Sequence, residues 1–597
     1  MSFDSDIPPS MLVGTPLFVF TSVFVSICVF LFGYDQGYFS SIITNPYFQK
    51  EFNHPTSIEI GSIVAILEIG AFLTSLSLHI VSDKLGRRRT TRLGALIFSL
   101  GGLLQTLSAN TWQLGLGRFI SGLGVGFLSG TAPTYMVEIS SVSLRGLLGT
   151  VQFTGNVAGY CCSIWIDYYT SFIDSNLSFR IPLALQVLFG MILYFGSFAL
   201  IESPKWLLEH DHDIEGLIVL GDLFGNGNHS DPIAIEHFKE IKSNVMMGRI
   251  EGQLTLFQTI KRYPKRIFQA CSALLFAQFN GINVISYYAP LVFESIGWKG
   301  KDGIRMTGIN AILYLLATFI PWWATEIFGR KNLLVFGGTG MAISLLLIGW
   351  GSWKSSFDEN NIFAQYVVFL NVIFYTMLFG FSWGPIAWLL TPELLPTKAR
   401  ASGAALSTSV NWLSNFLVGQ LTPWGLEKST WAVYIICSCF CLISVITVLF
   451  VYIETKGKNE TELTDAFDDA SHFERSIRSG GSGGSGGSAV TSRRPSASRS
   501  ESEGENVGLI VGDAESISII NRDWQPSSDL ENLRAPGTVA NSTYGAIEGS
   551  RLTGGVQQFQ QQQQVQIQPV FDFDVDLPSH EHVKRFKEEN SIRSFLG

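Results

Sequence analysis

The chain has 597 residues, 47% of them hydrophobic, with 45 Phe and 59 Gly beside 40 basic and 49 acidic residues. That balance excludes an ordinary soluble domain and a disordered chain, and fits a protein that crosses a membrane many times. The net charge of −9 owes much to acid in the C-terminal part, and no basic patch with interleaved aromatics calls for a nucleic acid partner.

Residues 1–14 are acidic at their start and lead into an apolar run too long and poorly flanked for a cleaved signal, so they read as a cytoplasmic N-terminus. The first membrane-length run, 15–42, contains Phe32-Gly33-Tyr34-Asp35-Gln36-Gly37. A carboxylate at the centre of a spanning helix costs about 3 kcal/mol, so Asp35 either faces a cavity with a partner or sits at the watery end of its helix. A second charge, Arg118, falls inside a later span and is the candidate partner. Hydropathy then marks 58–80, 91–109, 112–138, 146–170, 180–201, 266–295, 304–327, 332–353, 363–391, 401–423 and 430–453. Twelve spans that must satisfy their backbone in lipid predict an all-α membrane protein. All seven cysteines lie in apolar segments and read as buried small hydrophobes, so neither a metal nor a cofactor is expected.

Short loops on one side carry Lys84, Arg87, Arg88, Arg89, Arg92, Arg145, Arg330, Lys331, Lys398 and Arg400, which predicts cytoplasmic termini. Asp83-x-x-Gly86-Arg87-Arg88 recurs as Glu326-x-x-Gly329-Arg330-Lys331, 243 positions on. Glu138, seven before Arg145, recurs as Glu393, seven before Arg400, and Glu202-Ser-Pro-Lys205 has a weaker echo in Glu454-Thr-Lys456. Three echoes at nearly one offset predict two parallel six-helix halves, 15–201 and 266–453, with a site between them. Residues 202–265 form a polar, partly helical cytoplasmic linker, and 454–597 read as a disordered cytoplasmic tail. In that tail Arg493-Arg494-Pro495-Ser496 resembles a kinase site, so a kinase or another signalling partner is considered there. Asn176-Leu-Ser178 is the glycosylation candidate on the outer side, whereas Asn228 and Asn541 fall on the cytoplasmic side.

Taken in order, these motifs resemble the sugar porter family of the major facilitator superfamily. The set comprises Gly33-Tyr34-Asp35-x-Gly37, Asp83-Lys-x-Gly86-Arg87-Arg88, Gly117-Arg118, Pro133-x-Tyr135-x-x-Glu138 and Glu202-Ser-Pro-Lys-Trp206-Leu. It continues with Gln278-x-x-Gly281-Ile-Asn283, Tyr287-Tyr288, Gly384-Pro-x-x-Trp388, Asn411-Trp412 and Glu454-Thr-Lys-Gly457. Ser382-Trp383-Gly384-Pro385 and the long tail look most like the fungal branch. The resemblance implies proton coupling by Asp35 and Arg118, and sugar binding by Gln278, Asn283, Trp388 and Asn411. It also implies a cytoplasmic charge network of Arg87, Glu138, Arg145, Glu202, Arg330, Glu393 and Arg400 that latches the halves when the site faces outward. The chain departs from the pattern where Phe153 replaces a fifth-helix glutamine, Ala277 a seventh-helix glutamine and Tyr314 an eighth-helix asparagine. Gln152, beside Phe153, is expected to point about 100° away. Two or three hydroxyl-binding amides are therefore missing, which points to an atypical solute, weak affinity or a sensing role.

These features predict an alternating-access transporter for a sugar or polyol-like solute in the lipid bilayer, driven by proton symport. A sugar sensor signalling through its tail and a proton-independent facilitator are the alternatives. The plasma membrane is the expected location, with the vacuolar membrane as the other choice. No nucleophile–base set or nucleotide loop suggests an enzyme.

Overall fold

The computed structural model describes residues 12–467 except 142–143, 253, 295–296, 299, 359–360 and 459; the expected N-terminal segment up to residue 11 and the expected tail beyond Phe467 lie outside the described residues. The first half consists of α1 (Thr15–Ile42), a short α2 (Pro46–Glu51), α3 (Ser57–Leu85), α4 (Arg87–Thr106), α5 (Thr111–Ile139), α6 (Arg145–Thr170) and α7 (Leu177–Gly196). The connections α3–α4 and α5–α6 lie at the same end of the bundle as the linker. α2 lies at the opposite end. Small residues let these helices pack closely, as in other membrane bundles. On α5, a Cβ at Gly122 would stand 2.0 Å from the Leu67 carbonyl of α3, and one at Gly124 would stand 2.6 Å from the Phe98 amide of α4.

The linker is more structured than its polarity suggests. Ser203 caps α8 (Pro204–Glu209), and α9 (Asp213–Phe224) follows. Asp231 caps α10 (Pro232–Glu251), and Thr255 with Gln258 forms a capping box on α11 (Leu256–Arg262). Proline at the first position of α8 and α10 gives up no hydrogen bond there. Leu208, Leu217, Leu220, Phe238 and Val245 bury a separate small core between these helices.

The second half repeats the first with more broken helices. The seventh span is split at Asn280–Gly281 into α12 (Pro264–Phe279) and α13 (Ile282–Glu294). The eighth, α14 (Lys301–Ala317) and α15 (Pro321–Phe328), bends by 45°. α16 (Arg330–Phe357) is continuous, and the tenth span divides at Ser382 into α17 (Ile362–Phe381) and α18 (Trp383–Leu394). The segments expected at 401–423 and 430–453 run as α19 (Arg400–Val451) through a kink at Ser429, whose φ of −164° and ψ of 97° are not helical. Twelve spans in two halves are thus present among the described residues.

One expectation fails at the start of the tail. Residues 454–467, assigned to the disordered segment, include α20 (Glu460–Ala466), which seats Leu463 and Phe467 in the core of the second half. Arg266 of α12 holds it: Nη2 donates to Thr464 Oγ1 at 3.0 Å, Nη1 to the Leu394 carbonyl at 3.2 Å, and the guanidinium lies 4.9 Å from the Phe467 ring centre. The buried pair Leu463 and Phe467 is spaced i, i+4 on one helical face, and that pattern was hidden by the acidic residues around it.

Candidate functional site

A cavity of about 130 Å³ lies between the halves. Gln36, Asn156, Gln278, Asn283, Ser286 and Asn411 supply polar groups, while Phe32, Phe153, Tyr160, Tyr314, Phe379 and Trp388 form aromatic walls. The cavity continues past Val137, Leu148, Gly149 and Pro392 toward the linker end. At the opposite end the halves are in contact. Gln420 Nε2 donates to Ser62 Oγ at 3.2 Å, Gly61 abuts the Gln420 carbonyl, and the Tyr160 hydroxyl donates to the Ser286 carbonyl at 3.3 Å.

The family-implied sugar residues meet in this cavity. Gln278 Nε2 donates to Asn411 Oδ1 at 2.7 Å, and Asn283 Nδ2 donates to Gln278 Oε1 at 2.5 Å and to Asn415 Oδ1 at 2.6 Å. The break before α13 turns Asn283 inward, because Gly281 at φ +98° is a backbone geometry open chiefly to glycine. Phe153 lines the cavity and packs so closely on Gly384 that a Cβ there would fall 2.2 Å from the ring. Gln152 lines it as well, contrary to the expectation that it points away; its Nε2 donates to the Ala132 carbonyl of α5 at 3.0 Å. Two adjacent helical positions can both border a cavity that is wide at that level. Ala277 and Tyr314 are also lining residues.

Asp35 and Arg118 pair in the protein interior, Nη2 to Oδ2 at 3.4 Å, with 1% and 2% of their side chains exposed. Tyr38 donates its hydroxyl to Asp35 Oδ1 at 2.9 Å, and Arg118 Nη1 donates to that hydroxyl at 3.3 Å. The guanidinium also donates to the Val64 carbonyl at 3.0 Å and stands 4.4 Å from the Phe39 ring centre. These contacts offset part of what burial costs the pair, although Arg118 Nε finds no hydrogen-bond partner among the described residues. The reading of Asp35 as a residue at a watery helix end does not hold.

The charge motifs form two matching clusters at the linker end, one in each half. Arg87 makes a two-pronged bond to Glu138, Nε to Oε2 and Nη2 to Oε1, both at 2.8 Å; Ser203 Oγ adds a 2.6 Å bond. Arg330 Nη2 reaches Glu393 Oε1 at 2.9 Å and Glu326 at 2.8 Å, while Thr455 Oγ1 donates to Glu393 at 2.6 Å. Glu202 accepts from the backbone amides of Arg87 and Arg88 at the N-terminus of α4, and Glu454 from those of Arg330 and Lys331 at the N-terminus of α16. Such helix ends attract anions. Burial pushes the Glu202 carboxyl above the usual carboxylate range, against the pull of its amide donors. All of these ion pairs join elements of one half. Arg400 donates to the Leu395 carbonyl at 3.4 Å, and the Arg145 side chain lies outside the described residues. Asn176 is exposed, with Nδ2 donating to Glu51 Oε2 at 2.8 Å.

Several residues of the site were not singled out in the sequence: Tyr38, Gln105, Asn415 and above all Glu68, which is 1% exposed. Glu68 carries the same signal that marked Asp35, a carboxylate inside a membrane-length apolar run.

Two parallel six-helix halves around a central cavity, with buried charges at mid-depth, define a membrane carrier of the major facilitator superfamily. The "Sugar (and other) transporter" family matches residues 21–467, and the chain belongs to that family. It is 30% identical over 467 residues to the MFS-type transporter criB of Aspergillus cristatus, covering 78% of this chain and 96% of that one. It is 30% identical over 459 residues to a high-affinity glucose transporter of Kluyveromyces lactis, covering 74% and 83%. Among solved structures, the partially occluded inward-open form of the xylose transporter XylE from E. coli matches with a TM-score of 0.64 at 23% identity, covering 74% of this chain and all of that one. The fold of the xylose transporter is therefore shared.

Proposed function

We propose that this protein carries a sugar or polyol-like solute by alternating access, in symport with protons. The observation that supports it best is the Asp35–Arg118 pair, buried at 3.4 Å within the half that faces the amide-lined cavity. An ionised Asp35 holds Arg118 and Tyr38; a protonated one releases the arginine and eases rearrangement of α1 against α5. Gln278, Asn283 and Asn411 offer donors and acceptors together, which suits hydroxyl groups. Trp388 offers a flat apolar wall to the other face of the ring. The relatives include glucose transporters, which favours a hexose-sized solute, while Phe153, Ala277 and Tyr314 favour one with fewer hydroxyls or with an aromatic face.

In this reading the linker end and both termini are cytoplasmic, the cavity faces the cytoplasm, and the membrane is the plasma membrane. The clusters around Arg87 and Arg330, with Arg145 and Arg400, meet across the halves when the cavity closes on that side. The test is uptake by purified protein in liposomes across labelled hexoses, pentoses and polyols, with and without a pH gradient. Asp35→Asn is expected to abolish gradient-driven accumulation and to leave counterflow exchange measurable. Accumulation equal to that of the unsubstituted protein would refute proton symport through Asp35.

A further inference from the structure

Glu68 lies on α3, one helical turn after Val64, whose carbonyl holds Arg118. It has no part in the Asp35–Arg118 pair and does not line the cavity, yet it is 1% exposed. One oxygen, Oε1, accepts the Tyr287 hydroxyl at 2.7 Å. The other, Oε2, is fully buried and has no hydrogen-bond partner among the described residues. Tyr287 belongs to α13, in the opposite half, so this bond crosses the interface.

The bond is also the end of a directed chain. Asn283 donates to Asn415, Asn415 Nδ2 donates to the Tyr287 oxygen at 3.1 Å, and Tyr287 donates to Glu68. Gln36 Nε2, from the cavity wall, donates to the same tyrosine oxygen at 3.2 Å. Every member passes its hydrogen the same way, toward the carboxylate, so a negative Glu68 is the acceptor that sets the direction. The charges that act on it are Arg118 from α5 and Asp35 from α1; α13 presents Tyr287, and α19 contributes the neutral Asn415, which meets that tyrosine.

We propose that Glu68 is a second proton-binding site, and that its negative charge fastens the two halves through Tyr287 at the end opposite the linker. A proton from water adds to Oε2, the oxygen without a partner, and the carboxylate becomes a neutral carboxylic acid. A hydrogen bond to an ionised acceptor is roughly twice as strong as one to a neutral acceptor. Protonation therefore weakens the tie to α13 and favours opening at this end. Because the amides that meet the solute lie on the same chain, a bound solute and a proton on Glu68 bias one element. The inference rests on the alternating-access reading, and it does not require that Asp35 drive symport.

Ala65, fully buried against Gly419 of α19, reports on opening. The experiment measures labelling of Ala65→Cys by a water-soluble maleimide in nanodiscs from pH 8 to pH 5, with the unsubstituted protein as blank. Rates are normalised at each pH to Lys50→Cys, on an exposed turn of α2. Labelling is expected to rise several-fold on acidification. With Glu68→Gln it should be high and flat across the range, whereas Asp35→Asn should keep the acid-induced rise. Tyr287→Phe, which leaves the carboxylate in place, should raise labelling at pH 8 and serves if Glu68→Gln fails to fold. An acid rise that persists unchanged in Glu68→Gln and Tyr287→Phe, or a parent that shows none, overturns the proposal. Absence of proton-driven accumulation in liposomes would refute symport while leaving this labelling profile intact, so the two failures are distinguishable.

Discussion

The two charge clusters share a pattern but not a setting, and the difference predicts unequal costs for equivalent substitutions. Side-chain exposure is 5% for Arg87 and 6% for Glu138, against 6% for Arg330 and 24% for Glu393. Glu138→Gln preserves volume but leaves the Arg87 guanidinium with Asp83 at 3.4 Å as its remaining ion-pair partner. Breaking a buried pair by removing one charge costs about 3–5 kcal/mol. Glu393→Gln removes a carboxylate that water already reaches, and Arg330 keeps Glu326 at 2.8 Å. The expected loss there is one charge-assisted bond in a partly wetted site, about 1–2 kcal/mol. Equilibrium unfolding of the two purified variants in mixed micelles, followed by circular dichroism, gives the comparison. Equal losses, or a larger loss for Glu393→Gln, would refute the argument from burial.

Three further outcomes follow from the same geometry. Gly86 and Gly329 have φ of 85° and 82° with ψ of 167° and 162°, and a Cβ on either would sit 2.6 Å from the Glu202 or Glu454 carboxylate; Gly86→Ala and Gly329→Ala should each cost about 1–3 kcal/mol from this essentially glycine-only backbone geometry, read as a lower unfolding midpoint. Truncation after Gly457 should destabilise the protein because Leu463 and Phe467 are lost, about 1.5–3 kcal/mol each before ordering entropy is deducted; truncation after Phe467 should match full length in unfolding midpoint and initial uptake. Phe153→Gln with Ala277→Gln should strengthen competition by glucose against the transported solute by about 1–3 kcal/mol, measured as a double-mutant cycle; no gain for the pair would make Phe153 a packing residue.

Much of the fold was legible because lipid leaves a short list of solutions: apolar length marks the spans, and loop arginines mark one face. What hydropathy could not mark were the breaks. Asn280–Gly281 and Ser382 interrupt spans within continuous apolar runs, whereas the break at Ser429 falls where the hydropathy pattern separates 401–423 from 430–453. The weakest sequence echo, Glu202 with Glu454, proved structurally close, since each carboxylate closes over a positive-φ glycine and accepts the two amides that follow it. Identity of flanking residues was a poor guide there, because the contact is to backbone. Asp35 was found as a charge in an apolar run, and Glu68 offered the same signal two spans apart from Arg118. No family motif includes Glu68, so only its charge within an apolar run marks it in the sequence.

In the proposed mechanism the two carboxylates play different parts, set by where each is held. Asp35 is held by Tyr38 and Arg118 of its own half, so its charge alters how that half is braced internally. Glu68 is held by Tyr287 of the other half, so its charge alters how strongly the halves adhere. Arg118 ties them together: its guanidinium bonds Asp35 and the Val64 carbonyl one turn before Glu68 on α3. A proton on either acid changes the field at this arginine. The amides add the solute to the same balance. Asn283 has both donors engaged, to Gln278 and to Asn415, so a hydroxyl that takes one must displace it. A solute that draws Asn283 away from Asn415 loosens the path to Tyr287 and Glu68, and a ligand shifts such an equilibrium only by what it gains in one state over the other. In the proposed carrier, part of each new hydrogen bond to the solute is spent in breaking an old one.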